Sequence, residues 1–533
     1  MSIDICALYM DKCCIQRTCS FERCEVFQKN YMGIRTLYVN PHKIFAVFPA
    51  LIRKSDTFPC FADIRIYNII PYCGRMQKSG RSDVREIQQK RIQEETFMKR
   101  VLIAVLALVM VLSMAACGGT ETKPADGGNT GDFTINVNIW DSNQQKGLQE
   151  IADKWTESSG VKVKIEVVDW DNYWTLLSAG AQGGEMPDVF WTHSNTVQMY
   201  MENDLLLKLN DYIEKEKIDM SKYYDGIVKL YTRSDGNIYA LPKDHDTIAL
   251  LYNKAIFDQY GVEYPTDNWT WEDMYEAAKK ITEGSNGSVY GMAMNTSNNQ
   301  DGWYNLVYCY GGKVITDDHK GTTIGSAEAK AGMEMVRKLL TVGAPQTVVA
   351  ETGTDSLFQT SKTAMITQGS WMINAFYTAE NHADYAWALL PYADLNGNGT
   401  CEKEERWSAY NGLGWAASAK TAHPDECASL IAYFCSEEGQ KLQAEKGVTM
   451  GGMTGVSAEF ANAFPGMDVS AFTKAEDYSL YFRPYTRNTV AWEDPIQQAG
   501  AFLDAWQNPN DPAVMEKACD NAQAIIEAAI AAE

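Results

Sequence analysis

The stretch that most constrains the fold lies at residues 238–282, where a polar run, a short apolar run and a capped helix follow one another. The polar run is residues 243–246. The apolar run at 248–252 is long enough for a buried strand and too short for a helix of its own. Thr270 is placed to cap a helix, and the acidic Glu272 favours the positive end of that helix. This order predicts a strand followed by helices.

Strand and helix patterns alternate in the residues before this stretch. Residues 133–140 and 161–168 alternate as strands, and residues 149–156 between them read as a helix. A strand, a helix and a strand in this order predict a parallel sheet with a right-handed crossover. Residues 189–191 form a third short predicted strand. At 533 residues the α/β chain is long enough for two or more domains.

Two further motifs accompany these elements. Residues 187–191 read Pro-Asp-Val-Phe-Trp, and a predicted strand at 362–366 is followed by Gly-Ser-Trp at 369–371. Together with the stretch at 238–282, these motifs resemble the family 1 extracellular solute-binding proteins, whose best-known relatives are the maltose-binding proteins of sugar uptake systems. The resemblance covers most of the chain from about residue 133 to the C-terminus.

The resemblance implies a particular α/β architecture, the two-lobed periplasmic-binding-protein-like fold (type II). Each lobe is expected to be a mostly parallel sheet flanked by helices, and hinge crossings join the lobes. Lobe 1 is expected at residues 132–246, with residues 406–455 returning to it. Lobe 2 is expected at residues 247–405, with residues 456–533 returning to it. The polar residues before the strand of the opening stretch then face a ligand cleft.

The N-terminal part of the sequence carries a targeting pattern. Residues 98–117 have a basic start, an apolar run too short for a good bilayer span, and small residues ending at Cys117. This resembles a bacterial lipoprotein signal, which implies that Cys117 carries lipid. The polar run at 118–131 predicts a flexible tether. Because a signal belongs at an N-terminus, residues 1–97 are interpreted as an unstructured upstream extension from a misassigned start codon, with a genuine N-terminal domain as the alternative.

Charge and motif content narrow the class of function. The net charge of −22 argues against a nucleic-acid partner, because nothing supplies a basic surface for phosphates. The sequence shows no phosphate-binding glycine loop, nucleophile elbow or zinc motif, so no enzyme activity and no required cofactor are predicted. The chain is expected to act as a monomer.

The resemblance also implies a set of ligand-binding residues. A sugar ring has an apolar face and a rim of hydroxyls, so its site needs flat aromatic faces together with carboxylates and amides. The implied residues are Trp191, Asn195, Lys243, Asp246, Trp303, Trp371 and Trp492. The alternative for each tryptophan is a place in a hydrophobic core.

Alternating oxygen-bearing side chains form a second candidate site. The pattern at 394–405 matches a calcium loop, with a glycine for the sharp turn and a carboxylate at the end. The candidate ligands are Asp394, Asn396, Asn398, the carbonyl of Thr400, and Glu405. The predicted role of a bound Ca²⁺ is structural, and the alternative is a solvated turn rich in Asn and Gly.

The sequence therefore predicts a lipid-anchored solute-binding protein on the outer face of a bacterial cell membrane. It would capture a carbohydrate, expected to be an oligosaccharide, and deliver it to the permease subunits of an ATP-binding-cassette (ABC) importer. One alternative is the same fold binding a peptide, a polyol phosphate or another non-sugar solute. Another is a secreted glycosidase that uses two carboxylates such as Asp244 and Asp246.

Overall fold

A computed structural model of the protein describes residues 133–297, 299–497 and 500–533. The predicted upstream extension, the signal with Cys117 and the tether lie outside these residues. Within the described ranges, no helix has both the length and the apolar character needed to cross a membrane.

The described residues contain ten strands and nineteen α-helices. The strands are β1 Thr134–Ile139, β2 Lys162–Val167, β3 Val189–Thr192, β4 Ala240–Pro242, β5 Ile248–Asn253, β6 Met365–Gly369, β7 Tyr385–Leu389, β8 Trp407–Tyr410, β9 Gly414–Ala417 and β10 Ser479–Phe482. The helices are α1 Ser142–Ser159, α2 Trp170–Gly183, α3 Val197–Glu202, α4 Asn210–Lys215, α5 Asp225–Leu230, α6 Lys254–Tyr260, α7 Trp271–Gly284, α8 Tyr304–Cys309, α9 Ala327–Val342, α10 Gln346–Thr352, α11 Thr354–Gln359, α12 Ile373–Tyr377, α13 Pro424–Cys435, α14 Glu437–Glu445, α15 Ala458–Asn462, α16 Ser470–Lys474, α17 Val490–Gln497, α18 Leu503–Gln507 and α19 Pro512–Ala531.

The first lobe is built on a five-stranded sheet of order β2-β1-β3-β9-β4. Strand β1 is parallel to β2 and β3, as predicted, and β9 is antiparallel to β3 and β4. In β1, Ile135, Val137 and Ile139 are fully buried while their neighbours face outward, because alternate side chains of a strand point to opposite faces. The buried face packs on helix α1, whose N-terminus is capped by the carboxylate of Asp141.

The second lobe is built on a three-stranded sheet of order β6-β5-β7. Every residue of β5 is buried, and its side chains alternate between two hydrophobic clusters, with Leu250 in one and Leu251 in the other. Helix α7 follows with Thr270 as its cap, as predicted, and the cap is a capping box in which Thr270 and Asp273 bond each other's backbone N–H.

The second sheet differs from the expectation of a mostly parallel sheet. Both β6 and β7 are antiparallel to β5. Residues 289–294 lie beside β6 and contribute only isolated parallel bridges, from Tyr290 to Thr363 and from Ala293 to Ile366. The parallel neighbour of β6 is therefore too irregular to count as a strand.

Two connections between the sheets bring polar residues together. The chain passes directly from β4 to β5 through residues 243–247, and it returns from β7 to β9 through β8, which pairs in parallel with β10. The first of these crossings touches the second through a β-bridge between Asp246 and Asn411. These crossings are the hinge segments of the molecule.

The ends of the strands determine which side chains face the crossings. Strands β1 to β4 run in the same direction, so their carboxyl ends lie at one edge of the sheet. Trp140, Trp170, His193 and Lys243 follow those four ends. In open α/β sheets, ligands bind outside this edge.

Candidate functional site

A cluster of aromatic rings lies at the carboxyl edge of the first sheet. The indole of Trp140 makes edge contacts with Trp170, Tyr173 and Trp191, with ring centroids 5.2, 5.0 and 4.9 Å apart. The ring of His193 lies 5.7 Å from Trp170. The cluster runs from fully buried Trp191 to Trp170, which is 42% exposed.

A polar network joins this cluster to both crossings and to the second lobe. Asp246 accepts a hydrogen bond of 2.6 Å from the side chain of Gln300, which precedes α8 in the second lobe. Asn411 donates from Nδ2 to Gln300 Oε1 at 3.2 Å and to His193 Nε2 at 3.0 Å. The network therefore contains groups from the first lobe, both crossings and the second lobe.

The charge state of the network follows from its burial. Burial raises the pKa of Asp246 well above its ordinary value, the nearby Asp244 raises it further, and Lys243 opposes the shift. Burial also lowers the pKa of His193 to about 3, with a further contribution from Arg483. A neutral imidazole suits the contacts of His193, because Nε2 accepts from Asn411 while Nδ1 can donate to Asn195 Oδ1 at 2.9 Å.

Among the buried side-chain oxygen atoms that lack a hydrogen-bond partner within the described protein, one belongs to this network and another lies in a turn whose backbone bonds the first crossing. They are Oδ1 of Asn411, which is 1% exposed, and Oγ of Ser370, also 1% exposed, at the start of the turn after β6. An unsatisfied buried polar group costs about 1–3 kcal/mol. Such orphaned atoms from a crossing and from the second lobe fit a site for a ligand rich in hydroxyls.

A second buried contact between the lobes involves Arg483, which follows β10. Its guanidinium donates to both carboxylate oxygens of Glu493 at 2.7 and 2.8 Å, and to Ser194 Oγ in the first lobe at 3.4 Å. Tyr304 also donates to Glu493, at 3.1 Å. Arg483 thus fixes the C-terminal segment against the residue that follows His193.

The structure corrects three of the predicted ligand contacts. The indoles of Trp191, Trp303 and Trp492 are fully buried in the hydrophobic clusters of the lobes. Trp303 packs against Phe502, with ring centroids 5.1 Å apart, and the ring nitrogen of Trp492 donates to Thr486 Oγ1 at 3.1 Å. None of the three indoles presents a free face, because a large apolar side chain gains most free energy inside a core.

The structure also corrects the predicted ligand contact of Lys243. Its ammonium is fully buried and donates to Asp244 at 2.6 Å, to Gln144 at 2.9 Å and to Thr449 at 3.4 Å. It also lies 4.6 Å from the ring centre of Trp191. These three acceptors use all three N–H donors, so Lys243 holds the crossing in place and has no donor left for a ligand.

The remaining predicted contacts lie where a ligand could reach them. Asp246 belongs to the network, Asn195 is half-buried beside His193, and Trp371 is half-buried in the turn after β6. The indole of Trp371 lies across Gly369, where no other side chain would fit. Their role in binding stays a prediction.

Several residues of the site escaped the sequence-based reasoning. Trp170, His193, Gln300 and Asn411 carry much of the geometry and are not among the predicted ligand contacts. Trp170 could have been found, since it follows a predicted strand and the carboxyl ends of parallel strands share an edge. Gln300 and Asn411 carry no local signal, because they lie in irregular segments.

The candidate calcium loop folds as a tight turn. Asp394 accepts from the backbone N–H groups of Asn398 and Gly399, both at 3.1 Å. The side-chain amides of Asn396 and Asn398 both donate to Glu402 Oε1, at 3.2 and 3.1 Å. Among the described residues, no group of three or more His, Cys, Asp or Glu side chains could hold a metal ion. A cation here would therefore depend on amide and carbonyl oxygens as well as carboxylates.

Two lobes, the chain crossings that join them and a polar site between them define the class of two-lobed, type II periplasmic-binding-protein-like solute-binding proteins. A solved ABC substrate-binding protein of Listeria monocytogenes, in complex with cycloalternan, superposes with a TM-score of 0.64 at 23% identity, over 74% of this chain and 98% of that one. The family model described as bacterial extracellular solute-binding protein matches residues 140–441, and the chain belongs to this family.

Curated relatives agree with this assignment. The chain is 24% identical to a maltooligosaccharide ABC transporter solute-binding lipoprotein of Streptococcus pneumoniae serotype 4, over 66% of this chain and 79% of the relative. It is 23% identical to a galactooligosaccharide-binding protein of Bacillus subtilis, over 65% of this chain and 79% of the relative.

Proposed function

We propose that this protein captures a carbohydrate between its lobes and delivers it to the permease subunits of an ABC importer. The observation that carries the proposal is the network of buried Asp246, Gln300 and Asn411 with half-buried His193, together with the orphaned oxygen atoms of Asn411 and Ser370. A ligand that completes these hydrogen bonds would contact both lobes, and hydroxyl groups can donate as well as accept. The names of the oligosaccharide-binding relatives support a sugar as this ligand.

The mechanism follows from the position of the network. A ligand bound only to the first lobe would leave Gln300 and Ser370 without new partners, so the closed arrangement binds it more tightly than an open one. This difference in affinity shifts the population towards closure. The backbone change is absorbed at the crossings between the lobes. The closed form then docks on the permease.

The proposal also includes the membrane anchor of the protein and its oligomeric state. Lipid on Cys117 would hold the chain at the outer face of the cell membrane, and the chain would act as a monomer. The lipoprotein relative of Streptococcus pneumoniae supports the anchor.

The contacts of Asp244 favour a binding protein over a glycosidase. One of its carboxylate oxygens accepts from Lys243 at 2.6 Å and the other from the backbone of Leu413 at 2.7 Å. A general acid or base needs a free oxygen in reach of the substrate. Asp244 is therefore a structural carboxylate. It cannot serve as the second catalytic carboxylate beside Asp246.

Calorimetry against a panel of saccharides, amino acids and polyol phosphates tests the proposal. We expect heat from at least one saccharide and no breakdown products after long incubation. Replacing Asn411 by Ala should weaken that binding about tenfold or more, since it removes a hub of the network. The exposed Asn462→Ala variant is the control. Binding of a non-sugar solute alone, or turnover of the sugar, would overturn the proposal.

A further inference from the structure

A buried histidine of the first crossing contacts both lobes at the hinge. His245 lies between Tyr224, which packs against the hydrophobic cluster of the first lobe, and Glu476, which follows α16 in the second lobe. Its Nε2 is 2.9 Å from Glu476 Oε1, and its ring centre is 4.2 Å from that of Tyr224. The Tyr224 hydroxyl also donates to the Glu476 carboxylate, at 3.3 Å. These three side chains, here called the hinge triad, therefore join the lobes.

The hydrogen-bond partners of His245 determine how many protons the triad holds. Nδ1 faces the carbonyl oxygen of Gly451 at 2.7 Å, and because a carbonyl can only accept, Nδ1 carries a hydrogen. Nε2 faces a carboxylate, which also accepts when it is ionised. Both hydrogen bonds form together only when the ring is an imidazolium or when Glu476 itself is protonated. In either case the triad holds one proton more than a neutral imidazole beside an ionised carboxylate.

The groups around the ring favour this extra proton. A cation within about 6 Å of the centre of an aromatic ring can be attracted to its face, and Tyr224 lies within that distance. Burial, aided by the charge of Glu476, raises the pKa of Tyr224, so its hydroxyl stays a neutral donor to the carboxylate. The carboxylates of Asp244 and Asp246, on either side in the sequence, bond Lys243 and the polar network instead. Glu476 is therefore the carboxylate that pairs with the ring.

We infer that closure of the lobes takes up one proton at the hinge triad, so that the affinity for ligand falls as the pH rises. This inference rests on the proposed function and adds its regulation. On opening, rotation about residues 243–247 moves the ring away from Glu476, so the open form does not need the second N–H. Histidine is the side chain whose charge ordinarily changes between about pH 5 and 8. Closing therefore binds a proton from solution, and by linkage a low pH favours the closed form.

Calorimetry with maltotriose and galactotriose tests the inference, since these sugars belong to the two classes named for the relatives. We expect the sugar that binds to do so about three- to tenfold more tightly at pH 6 than at pH 8. Titrations at pH 7 in buffers of different ionisation enthalpy should show a net uptake of protons on binding.

Glu476→Gln is the decisive variant, because an amide can donate to a neutral Nε2 and no extra proton is then needed. Its affinities at pH 6 and pH 8 should agree within about twofold, and the uptake of protons should disappear. Glu459→Gln in α15 is the matched control. It removes an exposed carboxylate that accepts from Asn462, and it should keep the pH dependence of the unmodified protein.

The possible results separate this inference from the carbohydrate function. Equal affinity at pH 6 and pH 8 would overturn the inference and leave the carbohydrate function standing. A pH dependence that survives in Glu476→Gln would do the same, and it would assign the proton to the polar network around Asp246. Failure of both sugars to bind the unmodified protein at either pH would overturn the carbohydrate function and the inference together.

Discussion

Lys243 shows how a single buried charge organises the first crossing. Its ammonium has no exposed surface, and its partners come from the neighbouring Asp244, from α1 through Gln144, and from the segment after α14 through Thr449. A buried ammonium is tolerated only when opposite charge and hydrogen bonds replace water. Lys243 and its partners therefore join three separate segments of the protein at the point where the chain leaves the first lobe.

Removing this ammonium should lower the stability of the protein. We expect Lys243→Met to lower the free energy of unfolding by about 3–5 kcal/mol, because Asp244 is left as an uncompensated buried charge. Lys441→Met is the control: Lys441 is half exposed and pairs with Glu437 on the surface, so the change should leave the unfolding midpoint almost unchanged. Urea unfolding followed by circular dichroism measures both. A Lys243→Met variant that keeps its stability but loses ligand binding would restore the sequence-based role of Lys243 as a ligand contact.

His193 should make the stability of the protein depend on pH. Burial, aided by Arg483, holds the pKa of the folded imidazole at about 3, whereas the ordinary value is 6.5. The imidazole of His193 therefore binds a proton near pH 6.5 in the unfolded chain but not in the folded chain. The stabilisation is complete above that pH and is lost as the pH falls from 6.5 towards 3. Between about pH 7 and pH 5, the free energy of unfolding should drop by about 1–2 kcal/mol more than in a His193→Gln variant. An imidazole NMR signal of His193 that titrates above pH 5.5 would contradict this.

At the scale of elements, capping and apolar runs could be read from the sequence and tertiary neighbours could not. Thr270 caps α7 and Ser436 caps α14, and such caps can be read from the sequence because each involves residues within three positions of one another. In β3 all four residues are buried, so no alternation distinguishes a cleft face from a core face at Trp191. The contact of Trp303 with Phe502 joins residues far apart in the chain, and no spacing predicts it.

The turn at residues 394–405 is the element whose role is still a prediction, and we propose that it holds a structural Ca²⁺. Three side chains of the loop already converge, since Asn396 and Asn398 both reach Glu402. Their amide oxygens accept from the backbone N–H groups of Asn398 and Thr400, at 2.9 and 2.7 Å, and a bound cation would have to replace these donors. Glu405 is buried and accepts from the backbone of Leu395 and Glu402, so it closes the loop.

Removal of calcium should destabilise the protein. We expect excess chelator to lower the melting temperature, and calcium at about 100 times its Kd to restore about 2.7 kcal/mol of stability. Asn398→Asp should tighten calcium binding, because it adds an anionic ligand. This variant is more informative than Glu405→Ala, which would also lose the two backbone contacts of the carboxylate. If calorimetry gives no calcium heat with either protein, the loop is a solvated turn.

At the scale of the whole molecule, the arrangement of the lobes depends on how closely the first lobe packs against the hinge strands. Helix α5 places Gly226 against Tyr410 and Phe482, the last residues of β8 and β10. The rings of Tyr410 and Phe482 pack edge to face, with centroids 5.0 Å apart. A side chain at position 226 would overlap the Tyr410 hydroxyl and lie 3.0 Å from the Phe482 ring. The absence of a side chain there lets the hinge strands approach the first lobe.

Adding one methyl group at this point should therefore disturb closure. We expect Gly226→Ala to cost about 1–3 kcal/mol of stability through overpacking and to weaken ligand binding, because the displaced strand ends carry Asn411 away from His193. Small-angle scattering should show a smaller ligand-induced contraction than in the unmodified protein. Gly183→Ala at the end of α2 is the matched control, since no atom lies within 4 Å of the added methyl. If Gly226→Ala closes on its ligand with unchanged affinity, the ends of β8 and β10 do not set the closed geometry, and the pivot lies in the crossing at residues 243–247.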